Sequence, residues 1–255
     1  MSKTILITGA SSGIGRSTAH LFAAKGYQLI LTARREDKLH QVIAEIQARY
    51  PVDILPLIFD VQDARQVQEA IQSIPTERFP TIDVLLNNAG LALGMGPIDQ
   101  GDLNDWDTMI DTNIKGLLYV TKAVVPTMKS QGYGHIIQIG STAGKVVYQN
   151  GNVYCATKHA VDALNQSMRI DLLPYGIKVS AVNPGACETE FSLVRFKGDE
   201  NRAKSVYDGF QPLGPDDVAQ TILYLAELPA HVCINDVTLT CLDQANAIYL
   251  QKNKT

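Results

Sequence analysis

Short apolar runs alternate with amphipathic stretches along this chain, and the alternation predicts a fold. KTILIT (3–8) is apolar and β-branched, as a buried strand requires. A glycine-rich turn follows, then IGRSTAHLFAAKG, in which Ile14, Ala19, Leu21, Phe22 and Ala23 can share a helical face. Gly26 sits where a C-cap belongs. YQLILTA (27–33) predicts a second strand, and a charged helix over about 36–49 stops before Pro51. DILPLIF (53–59) and IDVLLNN (82–88) read as two further strands, separated by a glutamine-rich helix at about 63–73. GHIIQIG (134–140) and GIKVSAVN (176–183) continue the series, with a helix between them from about 152 to Pro174 and Gly176. PDDVAQTILYLAE (215–227) opens with proline and acids, as a helix N-terminus favours, and NDVTLTCL (235–242) suits a last strand.

Strands alternating with helices imply a parallel sheet covered on both faces, because parallel neighbours need crossover connections. No repeat, low-complexity linker or composition shift divides the 255 residues, so one α/β domain is expected over 1–255. A composition of 45% hydrophobic and 19% charged residues suits a globular enzyme rather than a disordered chain. With net charge −4 and scattered basic residues, a nucleic-acid surface is not expected. Neither is a membrane span, since no apolar run approaches ~20 residues. MSKTILITGASSGIG has no signal-peptide h-region or cleavage site, and the four cysteines form no C-x-x-C pair or Cys/His metal spacing. A reduced, cytoplasmic, metal-free protein is the expectation.

After the first strand, TGASSGIG places Gly9, Gly13 and Gly15 in a G-x-x-x-G-x-G arrangement that leads into a helix. Such a turn lets a dinucleotide pyrophosphate approach the backbone, and the helix N-terminus faces the phosphates; a glycine-rich surface turn is the plainer alternative. The second strand ends in LTARRED, with Ala33, Arg34 and Arg35 where an NAD-selective site would carry an acid. Arginine can fork onto a 2′-phosphate, which points to NADP, although solvated arginines pairing with Glu36 and Asp37 would look the same. Asp60 and Val61 end the third strand; Asp60 suits an adenine amino group or a helix cap. In NNAG (87–90), Asn87, Ala89 and Gly90 are placed at the adenosine ribose or as a brace for the turn. Tyr154 and Lys158, four residues apart on a helix, can meet over one site. A nearby ammonium favours the phenolate and brings a tyrosine, ordinarily near pKa 10, toward acid–base use.

TGASSGIG, Asp60, NNAG, Asn113 in DTNIKG, Ser141 in IGSTAG, Tyr154-x-x-x-Lys158, and Pro184-Gly185 followed by Thr189 occur in that order over essentially the whole chain. The set resembles the short-chain dehydrogenase/reductase superfamily. That resemblance implies a Rossmann-like, doubly wound parallel sheet of about seven strands with helices on both faces. It also implies a cofactor half over about 1–140 and a catalytic and substrate half over about 141–255. The catalytic residues it implies are Asn113, Ser141, Tyr154 and Lys158. Tyr154 would exchange the proton, Ser141 would orient the substrate oxygen, and Lys158 would hold the nicotinamide ribose. Asn113 would hold a water that links Lys158 to solvent. The cofactor-binding set comprises Gly9, Ser11, Ser12, Gly13, Ile14, Gly15, Arg34, Arg35, Asp60, Val61, Asn87, Ala89, Gly90, Tyr154, Lys158, Pro184, Gly185 and Thr189. Thr189 suits either the nicotinamide amide or a helix N-cap. Ser12 departs from the pattern, standing where many NADP members carry Arg or Lys.

NNAGLALGMGP (87–97), GNVYCATK (151–158) and TEFSLVRFKGD (189–199) further resemble the NADP-dependent 3-hydroxy acid dehydrogenases, which oxidise serine, L-allo-threonine and related acids. Arg195 and Lys197 are the basic residues of the expected lid, and Arg195 is the candidate carboxylate clamp, unless it pairs with Asp199 or Glu200. Tyr148 and Gln149 are further pocket candidates. A general carbonyl or 3-oxoacyl reductase, or a non-catalytic NADP(H)-sensing protein, are the competing readings. The resemblance implies a homodimer or homotetramer through helices around 105–125 and 152–173. NAIYL (246–250) could pack on a partner or on its own sheet.

Overall fold

A computed structural model describes residues 2–252. Seven strands form one sheet: β1 (Thr4–Thr8), β2 (Gln28–Ala33), β3 (Ile54–Ile58), β4 (Val84–Asn87), β5 (Gly134–Ile139), β6 (Ile177–Pro184) and β7 (Asp236–Leu239). Every pairing is parallel and the order is β3-β2-β1-β4-β5-β6-β7. The helices are α1 (Gly13–Ala24), α2 (Glu36–Gln47), α3 (Ala64–Gln72), α4 (Leu103–Ile110), α5 (Leu117–Gln131), α6 (Asn152–Leu172), α7 (Glu190–Arg195), α8 (Glu200–Ser205) and α9 (Pro215–Glu227).

Side-chain alternation along the strands divides the core in two. Ile5, Ile7, Leu29, Leu31 and Leu86 pack beneath α1, α2 and α9, with Phe22, Leu39, Ile46 and Ile222. Leu6, Ile30, Leu57, Leu85 and Ile136 face the other way onto α3, α5 and α6, with Val67, Val124 and Val161. Burial on both faces is why β1, β2 and β5 read as continuous apolar runs. β7, at the sheet edge, is half-exposed and shorter than the run 235–242 suggested. The helix expected over 36–49 ends at Gln47.

The chain runs from β1 outward to β3 on one side, then returns to β4 on the other. The order therefore reverses at β1, opening a crevice at the carboxyl ends of β1 and β4 where ligands of such sheets bind. α4 and α5 form one nearly continuous run, joined by a wide π-type turn over Asp111–Gly116 that contains Asn113. Among the described residues, no helix is long and apolar enough to cross a membrane.

Candidate active site

A cavity of about 700 Å³ opens at that crevice, from the glycine turn after β1 to the lid formed by α7 and the segment beyond it. Gly9 and Gly13 adopt left-handed φ values of +67° and +51°, which glycine accepts without strain. Gly15 lies behind the turn rather than in the cavity. A Cβ there would collide with the Gly9 carbonyl oxygen and stand 2.6 Å from the Asn88 amide nitrogen, so this glycine lets α1 pack against the turn. Ser11, Ser12, Gly13 and Ile14 line the cavity.

The two asparagines of NNAG diverge because successive strand residues face opposite sides. Asn88 lines the cavity and donates to the carbonyls of Thr8 and Gly9 at 2.8 and 3.2 Å, bracing the turn. Asn87, the one named from the sequence, is buried and donates to Thr121 Oγ1 of α5 at 2.9 Å, outside the cavity. Its expected place at the ribose is corrected accordingly. Ala89 and Gly90 line the cavity.

Arg34 and Arg35 flank the end of β2. Arg34 pairs with Asp60 at 3.3 Å, so the Asp60 carboxylate faces a guanidinium rather than capping α3; Asp63 is the cap. Arg35 folds back onto the glycine turn, its Nη2 donating to Ser12 Oγ at 3.0 Å and Ser11 Oγ at 3.4 Å. A cation from β2 thus reaches the position that a basic residue would have filled where Ser12 stands. Left-handed glycines, two guanidinium groups and two hydroxyls, with no acid immediately after β2, fit a dinucleotide bearing a 2′-phosphate. Val61 also lines the cavity.

At the far end, β5 stops at Ile139 and Ser141 begins a 3-10 turn, its Oγ accepting from Ala143 N at 3.1 Å. α6 presents Tyr154 and Lys158 to the same cavity, one helical turn apart. Lys158 is buried and its Nζ donates to the Ile139 carbonyl at 2.8 Å; burial pushes its pKa down to about 8. Burial raises the Tyr154 phenol above its ordinary value, and Tyr148 adds to this, while the Ser141 hydroxyl and the Arg195 charge pull it back. The cation that acts on the phenol here is therefore Arg195, a partner that helix spacing did not suggest.

Asn113 does not line the cavity. Its side-chain carbonyl accepts from Leu91 N at 2.9 Å, and its amide donates to Leu91 O at 2.8 Å and Thr157 Oγ1 at 3.0 Å. It ties the loop after β4 to α6, just behind Tyr154 and Lys158. Pro184, Gly185 and Thr189 follow β6 along the cavity wall. Thr189 is the N-cap of α7, accepting from Phe191 N at 3.2 Å, and it packs beside Gly13.

Arg195 ends α7 and turns inward. Its guanidinium carbon lies 5.4 Å from the Tyr154 ring centre and 5.5 Å from that of Tyr148. Nε donates to Gly94 O at 3.3 Å, and Gly94 N returns a bond to Arg195 O at 2.9 Å. Nη2 is buried without a partner. Asp199 caps α8 instead of pairing with Arg195, and Lys197 pairs with Asp105 at 2.9 Å. Tyr148 lines the cavity; Gln149 does not. Phe191, Tyr207, Phe210 and Gln244 also line it, though no local sequence signal marked them. Phe191 sits 5.6 Å from Tyr154, ring to ring. Within NAIYL, Ala247, Ile248 and Leu250 border the cavity mouth, while Tyr249 is exposed. Among the described residues, no group of three or more His, Cys, Asp or Glu is gathered as for a metal ion.

The short chain dehydrogenase family model matches residues 3–199. The NADP-dependent 3-hydroxy acid dehydrogenase of Schizosaccharomyces pombe is 42% identical over 99% of this chain and 97% of its own length. Sulfoacetaldehyde reductase 2 of Chromohalobacter salexigens is 45% identical over 96% of each. The closed form of serine dehydrogenase complexed with NADP+ superposes with a TM-score of 0.91 at 40% identity, over 99% of this chain and 100% of the other. With a family match across most of its length, relatives above 40% identity and a crevice of this make-up, the chain belongs to the short chain dehydrogenase family.

Proposed function

We propose that this protein is an NADP-dependent oxidoreductase that interconverts a small 3-hydroxy acid, of the serine or L-allo-threonine type, with its 3-oxo acid. The observation that carries the substrate class is the unpartnered, buried Nη2 of Arg195 beside Tyr154. A half-buried cation whose Nη2 is shut off from water without a partner calls for an anion. Because Nε is committed to Gly94, the donor that Arg195 keeps for a carboxylate oxygen is Nη2.

The glycine turn, Arg34, Arg35, Ser11 and Ser12 would hold the phosphates of NADP, which supplies the hydride acceptor and donor when bound. Ser141 directs the substrate hydroxyl toward Tyr154. In oxidation Tyr154 takes the hydroxyl proton as the carbinol hydrogen leaves with its electron pair; in reduction it returns that proton to the carbonyl oxygen. Lys158 holds the nicotinamide ribose, the Ser141 hydroxyl and the Arg195 charge favour the phenolate, and Asn113 sets the loop that positions α6. Phe191 and α7 cover the phenol, so the proton moves in a dry site. The chain is read as a cofactor half over about 1–140 and a catalytic half over about 141–255. The exposed Leu118, Ile170 and Leu173 on α5, α6 and the turn after α6 support a homodimer or homotetramer.

A sulfonate in place of the carboxylate is the second reading, favoured by the 45% identity to sulfoacetaldehyde reductase 2. A panel of serine, L-allo-threonine, 3-hydroxypropionate, isethionate, a neutral diketone and an acyl thioester, run with NADP and NAD in parallel, separates the readings. Turnover confined to neutral ketones would overturn the anionic substrate class, and a preference for NAD would overturn the cofactor.

A further inference from the structure

Glu190 is the first residue of α7, yet its carboxylate crosses the cavity mouth to the cofactor side. Oε2 accepts from Arg35 Nη2 at 2.9 Å and Oε1 from Lys38 Nζ at 2.7 Å, across a sequence separation of more than 150 residues. The same Arg35 nitrogen touches the hydroxyls of Ser12 and Ser11. Neither serine caps α1: Ser12 stands at the N-cap without a side-chain cap bond. One carboxylate therefore occupies the cation, beside two hydroxyls, that a 2′-phosphate would also use.

We propose that Glu190 is a resident anion of the 2′-phosphate site, which must release Arg35 when a phosphate arrives and so sets how strongly the protein prefers NADP over NAD. This rests on the NADP reading above. A phosphate dianion beside the Glu190 carboxylate is repelled, whereas Glu190 retains Lys38 as a partner after Arg35 leaves it. NAD, with a neutral 2′-hydroxyl, makes no demand on Arg35 and leaves the bridge intact. Because Glu190 begins the helix that carries Phe191 and Arg195, the phosphate of one ligand and the lid over the other are mechanically joined. The bridge is half-exposed, so its effect is modest and falls with salt.

The test is equilibrium binding of NADP+ and NAD+ by calorimetry, at low and high salt, to the full-length protein and to Glu190→Gln, Arg35→Gln and the double variant. Glu190→Gln is expected to tighten NADP+ about fivefold at low salt and to leave NAD+ within about twofold. The gain shrinks at high salt and vanishes in the Arg35→Gln background. An unchanged ratio of NADP+ to NAD+ affinity, or weaker NADP+ binding, overturns the inference, since Glu190 would then orient Arg35 for the phosphate instead of competing with it. Where the unaltered protein prefers NADP+ and Glu190→Gln adds nothing, only the inference falls. Where the unaltered protein binds both alike and the preference appears only in Glu190→Gln, the inference stands and the strict NADP reading falls.

Discussion

Lys158 burdens the fold that carries it, and the burden is measurable. The side chain is 7% exposed, its one hydrogen bond goes to the Ile139 carbonyl, and burial alone lowers its pKa from 10.5 to about 8. At 1.36 kcal/mol per pH unit this is about 3 kcal/mol acting against folding wherever the amine is charged in both states. The sign follows from proton counts. Between pH 8 and 10.5 the unfolded chain binds the proton that the folded protein has released, so stability rises with pH across that window. Below pH 8 the full cost applies. Lys158→Met removes the charge and keeps the length, but it strands the Ile139 carbonyl, which costs about 1 kcal/mol. A net gain of about 2 kcal/mol at pH 7 is expected, or about 4 to 8 °C in Tm for a chain of this size. Thermal unfolding of both proteins at pH 7 and pH 10.5 tests it, and the gap should close at the higher pH. A variant that is no more stable at pH 7, or a gap that ignores pH, refutes the reasoning. If the expected result is found together with lost activity, the site trades stability for function.

Arg195→Ala should lower kcat/KM for serine at least about 30-fold more than for a neutral alcohol, because serine loses its charge partner while both lose the pull of Arg195 on the Tyr154 phenol. Equal losses on both substrates, read from parallel kinetics, would remove the clamp. Tyr154→Phe keeps the ring against Phe191 but removes the proton carrier, so kcat should fall at least about 100-fold while the Kd for NADP stays within about threefold; titration and steady-state rates check both. Gly15→Ala drives a methyl group into the Gly9 carbonyl, so it should lower Tm and weaken NADP binding together. A normal melting curve with normal affinity would show that α1 can move aside.

What the amino-acid sequence determined by itself lies within a few residues of chain or within a simple period. The apolar strands, the helices α1, α2, α3, α6 and α9, the glycines at the turn after β1 and the shared face of Tyr154 and Lys158 all follow from local sterics and periodicity. The tertiary structure decided matters of phase and of distance. Asn87 and Asn88 are chemically equal neighbours, and only the register of β4 turns one to α5 and the other to the cavity. Arg195 had nearer acids in sequence, yet the lid places it over Tyr154 with a donor unpaired. Arg35 meets Glu190 because parallel crossovers return every loop to the same edge of the sheet, bringing residues from distant parts of the chain within hydrogen-bond reach. The depressed Lys158 pKa has the same origin, since desolvation is a property of everything packed around an amine and of nothing beside it in sequence.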